Sequence, residues 1–367
     1  MFPLFLTATL GAPVAVLGVI EGIAEGVAVG LRGAAGRLSD RLGGRRLPWV
    51  RAGYGLSAVA RPVIAAATHW GVVLVGRLVD RGGKAVRTAP RDALIRDSSP
   101  RELYGAAFGY HRALDTAGAV LGPLVAVALL AGGASLRSVI WISVLPGAAA
   151  LLLLLRLREA APATAPGVDA SAPRLPRPFW VVLAIWFVFS LGNSSDTFLV
   201  LRSKDLGLGF TLVVLAYALY NVVYSTLSWP LGALSDRLSR EALVGVGLGV
   251  FGLVYLGFAV APGDWAVWPL FAVYGVYIAA TEGVAKAWIG DVAPAGAVGT
   301  AFGWFSAATG GALLAASVVA GVLWSAVGPS APFYVGATSS GLALALLFAA
   351  RPLYVSDTPA RRRTAGA

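Results

Sequence analysis

The sequence has no cysteine and only two histidines, His69 and His111. The first absence excludes disulfides, a thiolate nucleophile and any cysteine-ligated metal, and the second leaves too few imidazoles for a histidine metal site. Charge is scarce as well: 13% of the 367 residues are Asp, Glu, Lys or Arg, where soluble domains carry roughly 25%. No stretch is both polar enough and long enough to form a water-soluble domain. The opening Met1-Phe2-Pro3-Leu4-Phe5-Leu6 lacks the basic flank of a secretory signal. Neither a metal nor a cofactor is expected.

What fills the chain is apolar: 57% of residues are hydrophobic and the mean hydropathy is +0.77. Crossing a bilayer takes about 20 apolar residues per helix, so a chain of this length holds roughly a dozen spans. Apolar runs between polar breaks predict helices at 13–35, 48–68, 70–94, 105–131, 136–157, 178–202, 210–231, 242–261, 266–290, 299–325 and 331–350, with an apolar stub at 2–10. The net charge of +11 sits in short clusters between these runs, which argues against a nucleic-acid partner. One set of loops holds Arg37, Arg41, Arg45, Arg46, Arg96, Arg101, Arg156, Arg158, Arg174, Arg177, Arg237, Arg240 and Arg361 to Arg363, whereas the alternate set holds only Arg137, Arg202 and Lys204. The positive-inside rule makes the first set cytoplasmic together with the C-terminus, and an inner membrane is the expected location.

The stretch 160–176 is rich in Pro, Ala and Ser and has no helical period, so it reads as a linker between two halves. The halves repeat, because Gly36-Arg-Leu-Ser-Asp40-Arg41-Leu42 aligns with Gly232-Ala-Leu-Ser-Asp236-Arg237-Leu238 at an offset of 196. The same offset pairs Phe2 with Phe198 and Leu10-Gly11 with Leu206-Gly207. Parallel six-helix halves are a transporter pattern. The expected organisation is a bundle over 1–158, a cytoplasmic linker over 159–177, a second bundle over 178–351 and a basic tail over 352–367. Met1 aligns with Thr197, yet the second-half helix starts near Pro178, so about 19 residues of a first helix are expected to be missing.

Charges inside spans narrow the function, since each costs about 2.5–3.5 kcal/mol at the helix centre. The helix at 70–94 carries Arg77, Asp80, Arg81, Lys84, Arg87, Arg91 and Asp92, and positions 77, 81, 84, 88 and 91 form one stripe. That stripe is either a cavity wall or a set of ion pairs, such as Asp80 with Lys84, that hold the bundle together. Glu282 and Lys286 lie four apart on the helix at 266–290, and Asn193, Ser194, Ser195 and Asp196 lie on that at 178–202. A membrane-embedded carboxylate can cycle its protonation, so Glu282, Asp196, Asp115, Glu21 and Glu25 are proton-carrier candidates, each with a permanent ion pair as its alternative. His111 and Asp115 are spaced for a buried pair.

The segment from Gly36 through Asp40, Arg41, Gly43, Gly44, Arg45 and Arg46 resembles the loop signature of the major facilitator superfamily, G-x3-D-[RK]-x-G-[RK]-[RK], with Gly44 at a position that is usually basic. The segment is expected as a tight glycine-permitted turn. The resemblance implies a latch role for Asp40, Arg41 and Arg45, with Asp92 or the N-terminus of the helix at 299–325 as partner. The second copy keeps Asp236, Arg237 and Arg240, with Ser239 for Gly. Gly109-x8-Gly118-x3-Gly122-Pro123 resembles that family's antiporter motif, with Ala126 and Val127 in place of its closing glycines; the alternative is close helix packing alone. Arg77 occupies the place of the family's proton-coupling arginine. Asp80 to Lys84, Pro90 to Ile95, His111 to Gly118 and Ser190 to Asp196 look like a prokaryotic permease subgroup.

These observations lead us to expect an all-α membrane protein of two pseudo-symmetric six-helix bundles. Its expected role is a proton-coupled antiporter that exports a small molecule. The cationic stripe suggests an anionic substrate. The alternatives are a proton-symport importer and a non-transporting sensor. The expected partners are the solute and membrane lipid, with the chain a monomer that needs no cofactor beyond a proton gradient. Enzymatic activity is not expected, because the loops hold no clustered carboxylates or histidines.

Overall fold

A computed structural model describes residues 5–11, 14–42, 44–159 and 174–355. The linker at 160–173, the tail arginines 361–363, Gly43 and the side chain of Glu21 lie outside the described residues. After a π-helical turn at Phe5–Thr9, the chain runs through α1 (Val14–Arg41), α2 (Leu47–Ala66), α3 (Trp70–Asp97), α4 (Tyr104–Ala131), α5 (Leu136–Ile142), α6 (Val144–Arg156), α7 (Arg177–Ser190), α8 (Thr197–Asp205), α9 (Phe210–Arg237), α10 (Arg240–Val260), α11 (Val267–Val292), α12 (Val298–Ala326), α13 (Ala331–Ala349) and α14 (Arg351–Val355). Among the described residues there is no strand, and seven helical segments are long and apolar enough to cross a membrane. Large apolar side chains such as Leu145, Leu152, Leu253, Val318 and Phe348 are exposed, a surface that water would not tolerate and lipid solvates.

Three sequence expectations change. Residues 36–41, expected as a turn, are helical and close α1; the turn comes later, where Gly44 adopts a left-handed φ of 68°. The helix expected over 178–202 is broken, since 191–196 separates α7 from α8. The sequence there is Leu-Gly-Asn-Ser-Ser-Asp, whose short polar side chains bond nearby backbone in place of the helical ladder. Thr197 N indeed donates to Ser195 Oγ at 3.3 Å. The run at 136–157 divides into α5 and α6 at Ser143, whose carbonyl accepts from Arg61 at 2.6 Å.

The helices form two compact units. The first takes the described residues of 1–94, 121–174 and 295–307, and the second those of 95–120, 175–294 and 308–367. In the first, α2 packs on α5 and α6. In the second, α9 lies along α11, α10 packs on α11 and α13, and α7 packs on α13 and α14. Its core is aromatic: Phe251 stacks on Tyr255 at 3.9 Å and meets Phe189 edge-on at 4.8 Å. Arginines complete helix C-termini in both units. Arg137 donates to the Ala65 and Ala67 carbonyls at the end of α2, Arg51 to Leu154, Leu155 and Leu157 at the end of α6, and Arg202 to Phe258 and Ala259 at the end of α10. Each places a cation where the last carbonyls lack intrahelical partners.

Candidate functional site

The break between α7 and α8 opens into a cavity of about 560 Å³ in the second unit, lined by Asn193 to Thr197, Tyr217, Tyr220, Tyr224, Tyr274, Tyr277 and Glu282 among others. On α9, positions 217, 220 and 224 share a face, as do 274 and 277 on α11. The unwound segment aims Asp196 at that wall of rings. Tyr274 donates to Asp196 Oδ1 at 2.8 Å and Tyr220 to Oδ2 at 3.1 Å. Among the described residues no ion pair reaches Asp196. Asn193 Nδ2 donates to Tyr277 Oη at 3.4 Å. The Ser194 hydroxyl, which also lines the cavity, is buried without a hydrogen-bond partner.

Glu282 is held differently. Tyr224 donates to one of its oxygens, and Arg112 on α4 donates to the other at 2.6 Å. Arg112 also pairs with Asp115 at 2.9 Å, three residues on, so one guanidinium serves two carboxylates. Gly109, one turn below, lets α4 meet α9 and α11: a Cβ there would lie 2.4 Å from the Ser228 carbonyl oxygen, and Gly283 of α11 backs onto Gly109 itself. Gly118 and Gly122 make no such approach, because a Cβ on either would meet nothing within 4 Å. Pro123 lies inside α4, and Lys286 is half-buried one turn below Glu282.

Two helix-end clusters repeat one design. In the first unit Asp40 accepts from the backbone of Gly299 at 3.0 Å and of Thr300 at 2.5 Å, and from the Thr300 hydroxyl at 2.6 Å. It thereby caps α12, where free amides and the helix dipole favour an anion. Arg46 completes the cluster at 2.6 Å from Asp40 and 2.9 Å from Ser39 Oγ. In the second unit Asp236 accepts from Gly105 at 2.7 Å and Ala106 at 2.8 Å at the start of α4. There Arg240 lies 3.1 Å from Asp236 and 2.9 Å from Ser235 Oγ. Glycine makes both approaches possible: a Cβ on Gly36 would fall 2.1 Å from the Gly299 oxygen, and one on Gly232 2.3 Å from the Gly105 oxygen. Arg41, Arg45 and Arg237 are exposed. Asp92, fully buried, accepts from Arg91 at 2.9 Å.

The charges on α3 meet protein. Arg77 pairs with Asp80 at 3.6 Å, and Arg81 pairs at 3.7 Å with Glu25 of α1, which Arg32 also holds at 2.5 Å. Arg87 donates to Ser57 at 2.7 Å and lies 4.3 Å over the Tyr54 ring. Lys84 is exposed. Among the described residues no three His, Asp or Glu side chains are grouped to hold a metal ion. The tyrosine wall and the role of Arg46 escaped the sequence reading. The spacing of Tyr217, Tyr220 and Tyr224 carries the signal for the wall, although a neutral aromatic stripe also fits ordinary packing.

A multi-pass helical membrane protein with a duplicated helix-end cluster and carboxylates around an internal cavity has the build of a solute transporter. A family model described as the Major Facilitator Superfamily matches residues 1–278 and 197–366. An uncharacterized MFS-type transporter of Methanocaldococcus jannaschii is 31% identical over 356 residues, covering 94% of this chain and 88% of its own. The chain belongs to the major facilitator superfamily. Its fold matches the human organic anion transporter MFSD10 (TM-score 0.74, 18% identity, 94% of this chain and 88% of that one). It also matches the transporter FucP in the outward conformation (TM-score 0.73, 13% identity, 90% and 89%).

Proposed function

We propose that this protein is a proton-coupled antiporter that exports a small organic solute by alternating access of two pseudo-symmetric six-helix bundles. It works as a monomer in a prokaryotic inner membrane, with its arginine-rich loops and C-terminus in the cytoplasm. The proton gradient is its energy source, and no cofactor takes part. The observation that carries this reading is the way Asp196 is held, by the hydroxyls of Tyr220 and Tyr274. A hydroxyl can donate to a carboxylate and accept from a carboxylic acid. Asp196 can therefore take up and release a proton without breaking an ion pair, whereas protonating Glu282 would break its pair with Arg112. In this reading Glu282, Arg112 and Asp115 relay charge beside the cavity. Asp40 with Arg46, and Asp236 with Arg240, are latches that part and re-form once per cycle. Gly109 supports export by letting α4 lie against α9 and α11, as the antiporter motif implies.

The test is loading of inverted vesicles with an acidified lumen, using a panel of radiolabelled organic solutes. Gradient-driven loading by the wild type, lost in Asp196→Asn, is the expected result. Loading that needs an alkaline lumen would reverse the direction, and loading untouched in Asp196→Asn would remove the proton role.

A further inference from the structure

We propose that the cavity between the α7–α8 break, α9 and α11 binds an organic monocation, with Asp196 as its counter-ion and Tyr217, Tyr220 and Tyr274 as its aromatic wall. The proposal rests on the transporter reading for the site's purpose and goes beyond it in assigning the ligand. Among the described residues, the charged side chains that line this cavity are Asp196 and Glu282, both acidic. Glu282 already has a cation beside it, Arg112, which it shares with Asp115. Asp196 is held by neutral hydroxyls, so its negative charge is left facing the cavity.

The rings are placed to reinforce that charge. Tyr217 and Tyr220 lie 5.0 Å apart, and Tyr220 and Tyr274 5.3 Å apart, around the carboxylate that two of them contact. Tyrosine faces carry negative potential, and a cation within about 6 Å of such a ring is attracted to it. An anion would meet a like charge and ring faces of the same sign. A neutral polyol would find few free donors, because the hydroxyls of Tyr220, Tyr224 and Tyr274 are committed to carboxylates. The Ser194 hydroxyl in the wall has no hydrogen-bond partner, and an ammonium hydrogen could satisfy it. The volume of about 560 Å³ suits a drug-sized organic ion. The arginines of α3 point the same way, since Arg77 and Arg81 are paired with Asp80 and Glu25.

Thermal stabilisation of the purified full-length chain in detergent tests this, with tetraphenylphosphonium, benzoate and a neutral hexose as probes. Tetraphenylphosphonium should raise the melting temperature with saturable dependence. Its apparent affinity should fall by about tenfold or more in Asp196→Asn and also in Tyr220→Leu, and Tyr220→Phe, which keeps the ring, should stay within about threefold of wild type. If Asp196→Asn fails to fold, the pair of Tyr220 variants decides. Stabilisation by benzoate alone, no stabilisation by tetraphenylphosphonium, or equal binding by Tyr220→Leu and Tyr220→Phe would overturn the assignment. Binding in detergent needs no gradient. A chain that binds the cation but never loads vesicles would contradict the antiporter reading and leave the ligand class standing.

Discussion

Among the three cations offered by the turn after α1, one reaches Asp40. Arg46 is 4% exposed at its side chain and Asp40 fully shielded, whereas Arg41 and Arg45 are exposed. Stripping one partner from a buried ion pair costs about 3–5 kcal/mol. The three hydrogen bonds that Gly299 and Thr300 still donate to Asp40 bring the expected cost of Arg46→Ala down to about 2–4 kcal/mol. Arg41→Ala should stay within about 0.5 kcal/mol of wild type. Melting curves in detergent separate the two, and equal losses would mean that Arg46 does not hold Asp40. The glycine and the aspartate of this cluster were legible in the sequence, because a Gly-x3-Asp pair followed by arginines recurs 196 residues later. The choice of arginine was not, since it depends on the left-handed Gly44 that swings the chain back toward Ser39. The tyrosines around Asp196 were hidden for another reason: their function comes from a carboxylate that only the unwinding at 191–196 turns toward them.

At the scale of the elements, glycine decides where helices touch. Gly36→Ala forces a methyl against the Gly299 carbonyl at 2.1 Å, so α1 and α12 must separate, with a loss of about 1–3 kcal/mol. Gly30→Ala, two turns earlier on the same helix with nothing within 4 Å, should instead be neutral or stabilising by up to about 1 kcal/mol. A comparable loss in both variants would show that the approach to Gly299 does not set the effect. The terminal α14 makes a different prediction, this time in pH. Tyr354 donates to the Leu347 carbonyl at 2.7 Å and meets Trp288 edge-on at 5.3 Å. Burial, reinforced by the charge of Glu241, pushes its phenol up to about 12. Because the folded value lies above the unfolded one of about 10, the contribution of Tyr354 is complete below pH ~10 and is lost as pH rises through ~12. The melting-temperature difference between wild type and Tyr354→Phe should hold constant up to pH ~10 and shrink or reverse above it. A difference that stays flat to pH 12 would contradict a buried phenol. Most of these helices could be placed from apolar runs, because span length is set by bilayer thickness. The break after α7 could not, as a short polar interruption looks the same whether a helix bridges it or unwinds.

Orientation belongs to the whole molecule, and it follows from where the arginines lie. Alternate helix connections are rich in arginine and the others hold few basic residues, and lysine and arginine near span ends resist translocation. With the basic set cytoplasmic, as expected from the sequence, Arg158, after α6, should lie in the cytoplasm and Asp264, between α10 and α11, on the opposite side. Both positions are exposed, and the chain has no cysteine of its own, so a single cysteine at either one is a silent substitution that reports its side alone. A membrane-impermeant maleimide should label Asp264→Cys in right-side-out vesicles and Arg158→Cys only in inverted ones. Two cysteines labelled from the same side would require an odd number of crossings between 158 and 264 to become even, which the broken α7–α8 segment could supply only by entering and leaving on one face. Opposite labelling carries the consequence that α7 and α8 together cross the membrane. It would put the unwound segment and Asp196 within the bilayer, where an ionisable side chain is costly to hold and marks a functional site.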